Sequence, residues 1–151
     1  MPIAEISRGT DVALVGMRVL VVDDDADCRE LFRLVLEMSG AAVVTAAGAR
    51  EGLRECRRGR PDVLVSDLSM PDEDGYWLAD RIRTSLDMHD RRLPAVAVTA
   101  HHDERTRRRC LGTGFDVVLT KPVDPDELCA VVERLARAGD HGARDLLNAS
   151  T

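Results

Sequence analysis

The stretch Arg18-Val19-Leu20-Val21-Val22-Asp23-Asp24-Asp25 decides the fold. Four consecutive apolar residues, rich in β-branched Val, read as a strand covered on both faces, because a half-solvated strand would alternate with polar residues. The run stops abruptly at three adjacent aspartates, where a buried sheet would meet solvent. Carboxylates packed so closely repel one another, and a hard divalent cation with oxygen ligands relieves that repulsion. The same pattern returns at Val63-Leu64-Val65-Ser66-Asp67, and two further apolar runs end in Thr99 and Lys121. Asp23, Asp24, Asp67, Thr99 and Lys121 thus make a set of strand-end groups suited to a metal and a phosphoryl group.

Outward from that stretch, short apolar runs alternate with amphipathic segments. Strands are expected at Arg18 to Asp23, Ala42 to Thr45, Asp62 to Asp67, Ala95 to Thr99 and Asp116 to Thr120. Helices are expected at Asp27 to Ser39, Ala49 to Arg58, Tyr76 to Leu86, Asp103 to Leu111 and from Asp124 onward. In the first helix Leu31, Leu34, Val35 and Met38 recur at i, i+3, i+4, i+7 and are the expected buried stripe. In the last, Leu128, Val131, Val132 and Leu135 do the same, behind an Asp124-Pro125-Asp126-Glu127 start with a capping acid and Pro in the first turn. Gly40 suits the left-handed residue that closes the first helix, and Gly59 with Pro61 stop the second. Strand–helix alternation with right-handed crossovers gives a doubly wound parallel sheet with helices on both faces, and ligands bind beyond the carboxyl ends of its strands.

A chain of 151 residues suffices for one α/β domain with a real core. Aromatics are only 3% of it, so that core is aliphatic. A net charge of -6 argues against general nucleic-acid binding, which wants a basic surface. Cys28, Cys56, Cys110 and Cys129 form no C-x-x-C pair and no zinc spacing, and read as reduced thiols buried in helices of a cytoplasmic protein. No apolar run is long enough for a membrane span, and residues 1–16 show no signal peptide.

Four segments in order, V-V-D-D at 21–24, V-S-D-L-S-M-P-D-E-D-G at 65–75, A-V-T-A at 97–100 and L-T-K-P at 119–122, resemble the receiver domain of response regulators in two-component signalling. The resemblance covers residues 17–138. It leaves 1–16 as an extension or linker and 139–151 as a small, polar, flexible tail. It implies a five-stranded parallel sheet in the flavodoxin-like order 2-1-3-4-5.

The resemblance also implies roles. Asp67 would be the phosphoacceptor, attacking a phosphohistidine of a histidine kinase or a histidine phosphotransfer protein. Mg²⁺ (or Mn²⁺) would be held by Asp23, Asp24, Asp67 and the Ser69 backbone carbonyl. Lys121 would pair with phosphoryl oxygens, and Thr99 would donate its hydroxyl to one of them once Asp67 is modified. Pro122 would follow a cis peptide. His101, two residues past Thr99, would tune the lifetime of the phosphorylated state. Val118 departs from the family, which carries an aromatic there as the partner of the threonine. Output would be protein–protein contact, with no nucleic-acid or membrane role, either from a free-standing protein or from the receiver of a hybrid kinase.

Other readings carry less. A haloacid-dehalogenase-like phosphatase also uses Asp, Thr, Lys and Mg²⁺, but places its nucleophile first and its paired acids late. A pseudo-receiver acting only as a docking module would not need the intact acid–Thr–Lys set. His89-Asp90-Arg91-Arg92-Leu93-Pro94 mimics the phosphohistidine box of sensor kinases, but sits before a strand rather than on a long helical hairpin. Arg105 to Arg109 read as a solvated helix face, and Asp25 as a cap of the first helix.

Overall fold

The computed structural model describes residues 13–85, 92–101 and 103–149, with side chains described up to residue 138. Strands β1 (Arg18–Val22), β2 (Ala42–Ala46), β3 (Val63–Asp67), β4 (Ala95–Thr99) and β5 (Val117–Thr120) alternate with helices α1 (Ala26–Met38), α2 (Ala49–Gly59), α3 (Gly75–Thr84), α4 (Glu104–Thr113) and α5 (Pro125–Ala149). The strands form one parallel sheet in the order β2-β1-β3-β4-β5, the order expected. The central strands lie in register, Val19 beside Val63 and Leu64 beside Ala95. Asp23 and Asp67 therefore emerge side by side at the carboxyl edge.

Alternation along each strand feeds two cores. Leu20, Val22, Leu64 and Ala97 point to the side covered by α2, α3 and α4, where Leu53, Cys56, Leu78, Ile82 and Cys110 pack. Val19, Val21, Val65, Val96 and Val98 point to the side covered by α1 and α5, against Phe32, Leu36, Leu128 and Val132. Each such fully buried aliphatic side chain contributes about 1.5–3 kcal/mol, which is how so few aromatics suffice. The last helix buries its expected stripe: Leu128, Val131 and Val132 are inaccessible and Leu135 is partly covered. All four cysteines are free thiols; Cys56, Cys110 and Cys129 are buried and Cys28 is half-buried. Among the described residues no helix is long and apolar enough to cross a membrane.

The structure corrects the first helix. Leu31, Leu34 and Met38 are exposed, at 50%, 47% and 69%. The buried face is Phe32 and Leu36, flanked by Cys28 and Val35. The spacing Cys28, Phe32, Val35, Leu36 is as regular as the expected stripe and shares Val35 with it, so periodicity cannot choose. The helix ends choose. Asp25 caps α1 by accepting from the backbone N–H of Asp27 and Cys28, as expected. At the other end Gly40 takes φ 101° and donates to the Glu37 carbonyl while Ala41 donates to that of Leu36. Those anchors fix the rotation of α1, and a Cβ at Gly40 would strike Val15.

Three further differences follow. Residues 139–149, expected as a flexible tail, continue α5 to Ala149. Gly139 and Gly142 each cost a helix only about 1 kcal/mol relative to Ala, and Ala143, Arg144, Leu146 and Leu147 are strong helix formers. Leu14, placed in the N-terminal extension, is fully buried and donates its backbone N–H to the Ser39 carbonyl at 2.8 Å, so the end of that segment belongs to the core. Helix α2 closes not on Gly59 but on Arg60, which takes the left-handed conformation at φ 45°. The first half of the kinase-like box, residues 89–91, and the segment 1–12 lie outside the described residues.

Candidate functional site

Five elements meet at the carboxyl edge of the sheet. β1 delivers Asp23, which is 1% exposed, and the next residue, Asp24, is exposed. β3 delivers Asp67, which is 8% exposed. One carboxylate oxygen from each of Asp23, Asp24 and Asp67 lies within 4.8 Å of the others. From the end of β5, the Lys121 ammonium reaches across, 3.3 Å from Asp23 Oδ2 and 3.6 Å from Asp67 Oδ2. The peptide between Lys121 and Pro122 is cis. Asp23 uses its other oxygen, Oδ1, to accept from the Asp25 backbone N–H at 2.9 Å. Three carboxylates thus face one ammonium.

Burial and the neighbouring Asp23 carboxylate push Asp67 above the ordinary aspartate range, against the pull of Lys121 and of backbone N–H donors at Ser69 and Leu68. Burial works to pull Lys121 down, but the carboxylates of Asp67 and Asp23 outweigh it and hold the ammonium above its usual range. The geometry is that of an anionic pocket short of positive charge. Hard oxygen donors only a few ångströms apart, one of them solvent-accessible, fit a cation such as Mg²⁺ that binds through one or two carboxylates and keeps several waters. Cys28 is a neighbour the sequence did not announce: burial raises its thiol, in the field of Lys121, Asp23 and Asp67.

Thr99, at the end of β4, is 1% exposed, and its Oγ1 accepts from the His101 backbone N–H at 3.0 Å. The Lys121 backbone N–H donates to the Thr99 carbonyl at 2.8 Å, tying the ends of β4 and β5 together. A cleft of about 520 Å³ opens here, lined among others by Ser69, Tyr76, Thr99, His101 and Arg109. Ser69 and His101 are exposed at its rim. Val118 is paired with Ala97 and partly buried against the α2–α3–α4 core.

One residue of the site closes the segment 65–75 but was given no role from the sequence. Gly75 opens α3 under the Asp74 cap, and its N–H donates to the Leu68 carbonyl at 2.9 Å. A Cβ there would collide with the Asp67 carbonyl oxygen and crowd Leu68 Cα. The signal was present as Asp74-Gly75 before a helix, but the need for glycine is a through-space approach that spacing does not reveal.

The family model described as the response regulator receiver domain matches residues 19–133. The chain belongs to that family. An uncharacterized 14.6 kDa protein of Leptolyngbya boryana is 45% identical over 125 residues, spanning 83% of this chain and 94% of that protein. The virulence transcriptional regulatory protein PhoP of Salmonella typhi is 36% identical over 134 residues, 89% of this chain but 58% of PhoP, so this receiver spans little more than half of that relative. The signal receiver domain of a signal transduction histidine kinase from Syntrophus aciditrophicus superposes with TM-score 0.73 at 30% identity, covering 82% of this chain and 92% of that one. This receiver is a phosphorylation-dependent signalling switch, a class of domain that accepts phosphoryl groups and works with histidine kinases or phosphotransfer proteins. The phosphatase and docking-module readings are not favoured.

Proposed function

We propose that Asp67 is the phosphoacceptor and that the surrounding residues act on the transferred group in named ways. A carboxylate oxygen of Asp67 attacks the phosphorus of a phosphohistidine on a histidine kinase or a histidine phosphotransfer protein. The P–N bond breaks, the imidazole leaves with its electron pair, and an acyl phosphate forms. The observation that carries this reading is the position of Asp67: buried, 3.6 Å from the Lys121 ammonium, and clustered with Asp23 and Asp24.

Asp23, Asp24, Asp67 and the Ser69 backbone carbonyl would hold Mg²⁺ (or Mn²⁺). When bound, that ion supplies positive charge against the carboxylates and the incoming phosphoryl oxygens. Lys121 moves from a bridge between two carboxylates to a partner of the phosphoryl group. Thr99 keeps the His101 N–H as a donor while its own proton turns to a phosphoryl oxygen, drawing the β4–α4 loop toward Asp67. Catalysis here is positioning and electrostatics, and the domain turns over no separate substrate beyond its own phosphorylation and dephosphorylation. His101, on the rim of the cleft, governs water access and so the lifetime of the modified state. An unchanged decay rate in His101→Ala would remove that role.

The switch acts in the cytoplasm through protein partners, with residues 17–138 as the signalling unit, free-standing or as the receiver of a hybrid kinase. The deciding experiment is intact mass after incubation with acetyl phosphate and Mg²⁺. One added phosphate on the wild type and none on Asp67→Asn is expected; equal gains on both overturn the assignment.

A further inference from the structure

Away from the pocket, the α2–α3 surface carries a second ordered set of charges. Arg50, Arg54, Arg57 and Arg58 are all exposed on α2. At 3.6 residues per turn they fall within an arc of about 100°, on one flank of the buried Ala49, Leu53 and Cys56. Glu51 and Glu55 fall on the other flank, and Glu55 lies beside Arg18 and Val44 at the β2 edge. The arginine flank meets α3 through Arg50. There the Arg50 guanidinium stands 5.3 Å from the centre of the Trp77 ring, and that of Arg81, one turn further along α3, stands 5.2 Å from it. Arg50 also pairs with Glu73 at 3.0 Å. Among the described residues, Arg54, Arg57, Arg58 and Arg81 enter no ion pair. The two helices together hold six arginines against three carboxylates, in a chain whose net charge is -6.

We propose that this face docks a carboxylate-rich segment of a partner protein, with Trp77 as the plate that orients the arginine forks. The Arg81 guanidinium, held over the indole and outside any ion pair, keeps its N–H edges free in a fixed plane, the geometry that grips a carboxylate with two parallel hydrogen bonds, while Arg50 is steadied by both the ring and Glu73. Charge complementarity selects an acidic partner, and the chemistry on the page favours a protein over the other polyanions. The Trp77 ring is engaged by two guanidiniums, so it is not offered as a stacking plate for bases. The exposed large apolar side chains among the described residues are Val15, Leu31, Leu34, Met38, Val44 and Leu111, none of them on α2 or α3, so nothing there would enter a bilayer. The proposal does not depend on Asp67 being the acceptor.

The test is fluorescence anisotropy of a labelled peptide of alternating aspartate and glutamate titrated with the full chain at physiological salt. Binding is expected, weakened roughly tenfold or more by R54E/R57E/R81E. The double variant R50K/R81K keeps every charge but loses the planar forks, and a loss of about three- to tenfold is expected. Acetyl phosphate labelling and circular dichroism unchanged in both variants show that the fold is intact. No peptide binding, or equal binding by R54E/R57E/R81E, overturns the proposal. Equal binding by R50K/R81K overturns the stacked forks as its basis. Tighter binding of oligothymidylate or of phosphatidylserine vesicles than of the peptide reassigns the face and overturns it, as does concentration-dependent self-association that R54E/R57E/R81E abolishes, which would make a second copy the occupant.

Discussion

The strand-end pocket and the α2–α3 face both gather like charges, yet they handle them in opposite ways. In the pocket Asp23 and Asp67 are almost fully buried and bridged by a single ammonium, so each charge is felt at full strength and the set is left one or more positive charges short. On the face the arginines stand in solvent, spread along a helix flank, and two are steadied by an aromatic ring. Solvent screens the second set, so it adds little to the stability of the chain alone. Burial makes a charge decisive for the chemistry of the fold, whereas exposure leaves it free for another molecule.

That contrast can be broken at several points. The largest effect belongs to Lys121→Ala. Removing a partly buried donor placed to meet the transferred group costs catalysis of this kind about 10²–10³ in rate, so Asp67 labelling by acetyl phosphate should slow by roughly that factor; an unchanged rate would falsify the role of the ammonium. Next is Gly75→Ala, whose new methyl has backbone rather than flexible side chain in its way. A loss of about 1–3 kcal/mol is expected, read as a lower urea midpoint with the slope unchanged.

A smaller effect sharpens the point about burial. Asp67 is raised by desolvation and by Asp23. A carboxyl with a raised folded pKa binds its proton more tightly folded than unfolded, so its stabilising contribution is complete below the ordinary aspartate value of about 3.9 and is lost as pH rises through the folded value. Asp67→Asn removes that burden. It should raise the melting temperature by a few degrees at neutral pH without Mg²⁺, and the gain should vanish in acid below the ordinary value. A gain independent of pH would show that packing, not charge, is responsible. At the small end, Arg54→Ala and Arg57→Ala should leave thermal stability within about 0.5 kcal/mol; a larger loss would mean that the face serves the fold after all.

The strand ends at Asp23, Asp67, Thr99 and Lys121 were legible in the sequence, because an apolar run ending in a polar residue encodes both the strand and its exit point, whereas the sheet order was legible through the family resemblance. The last helix was legible for a related reason: its single apolar stripe, Leu128 to Leu135, has no competitor. In α1 two stripes compete and share Val35. Only the caps, anchored to β1 and to the Ser39–Gly40 turn, decide that Phe32 rather than Leu31 faces inward. Residues 139–151 read as a small, polar tail, yet helix-forming residues among them carry α5 to Ala149. Gly75 stayed silent because its importance lies in distance to Asp67, a residue eight positions away in the chain and touching in space.

Gly75 has a mechanical meaning as well. Where two backbones approach with no room for one carbon, the start of α3 is a hard wall against the end of β3. Beside it, Thr99 and the exposed His101 border an open cleft. On the proposed reading of Asp67 as phosphoacceptor, new bulk there would meet close backbone at Gly75 and open space at the Thr99–His101 cleft, so displacement would be directed into the cleft.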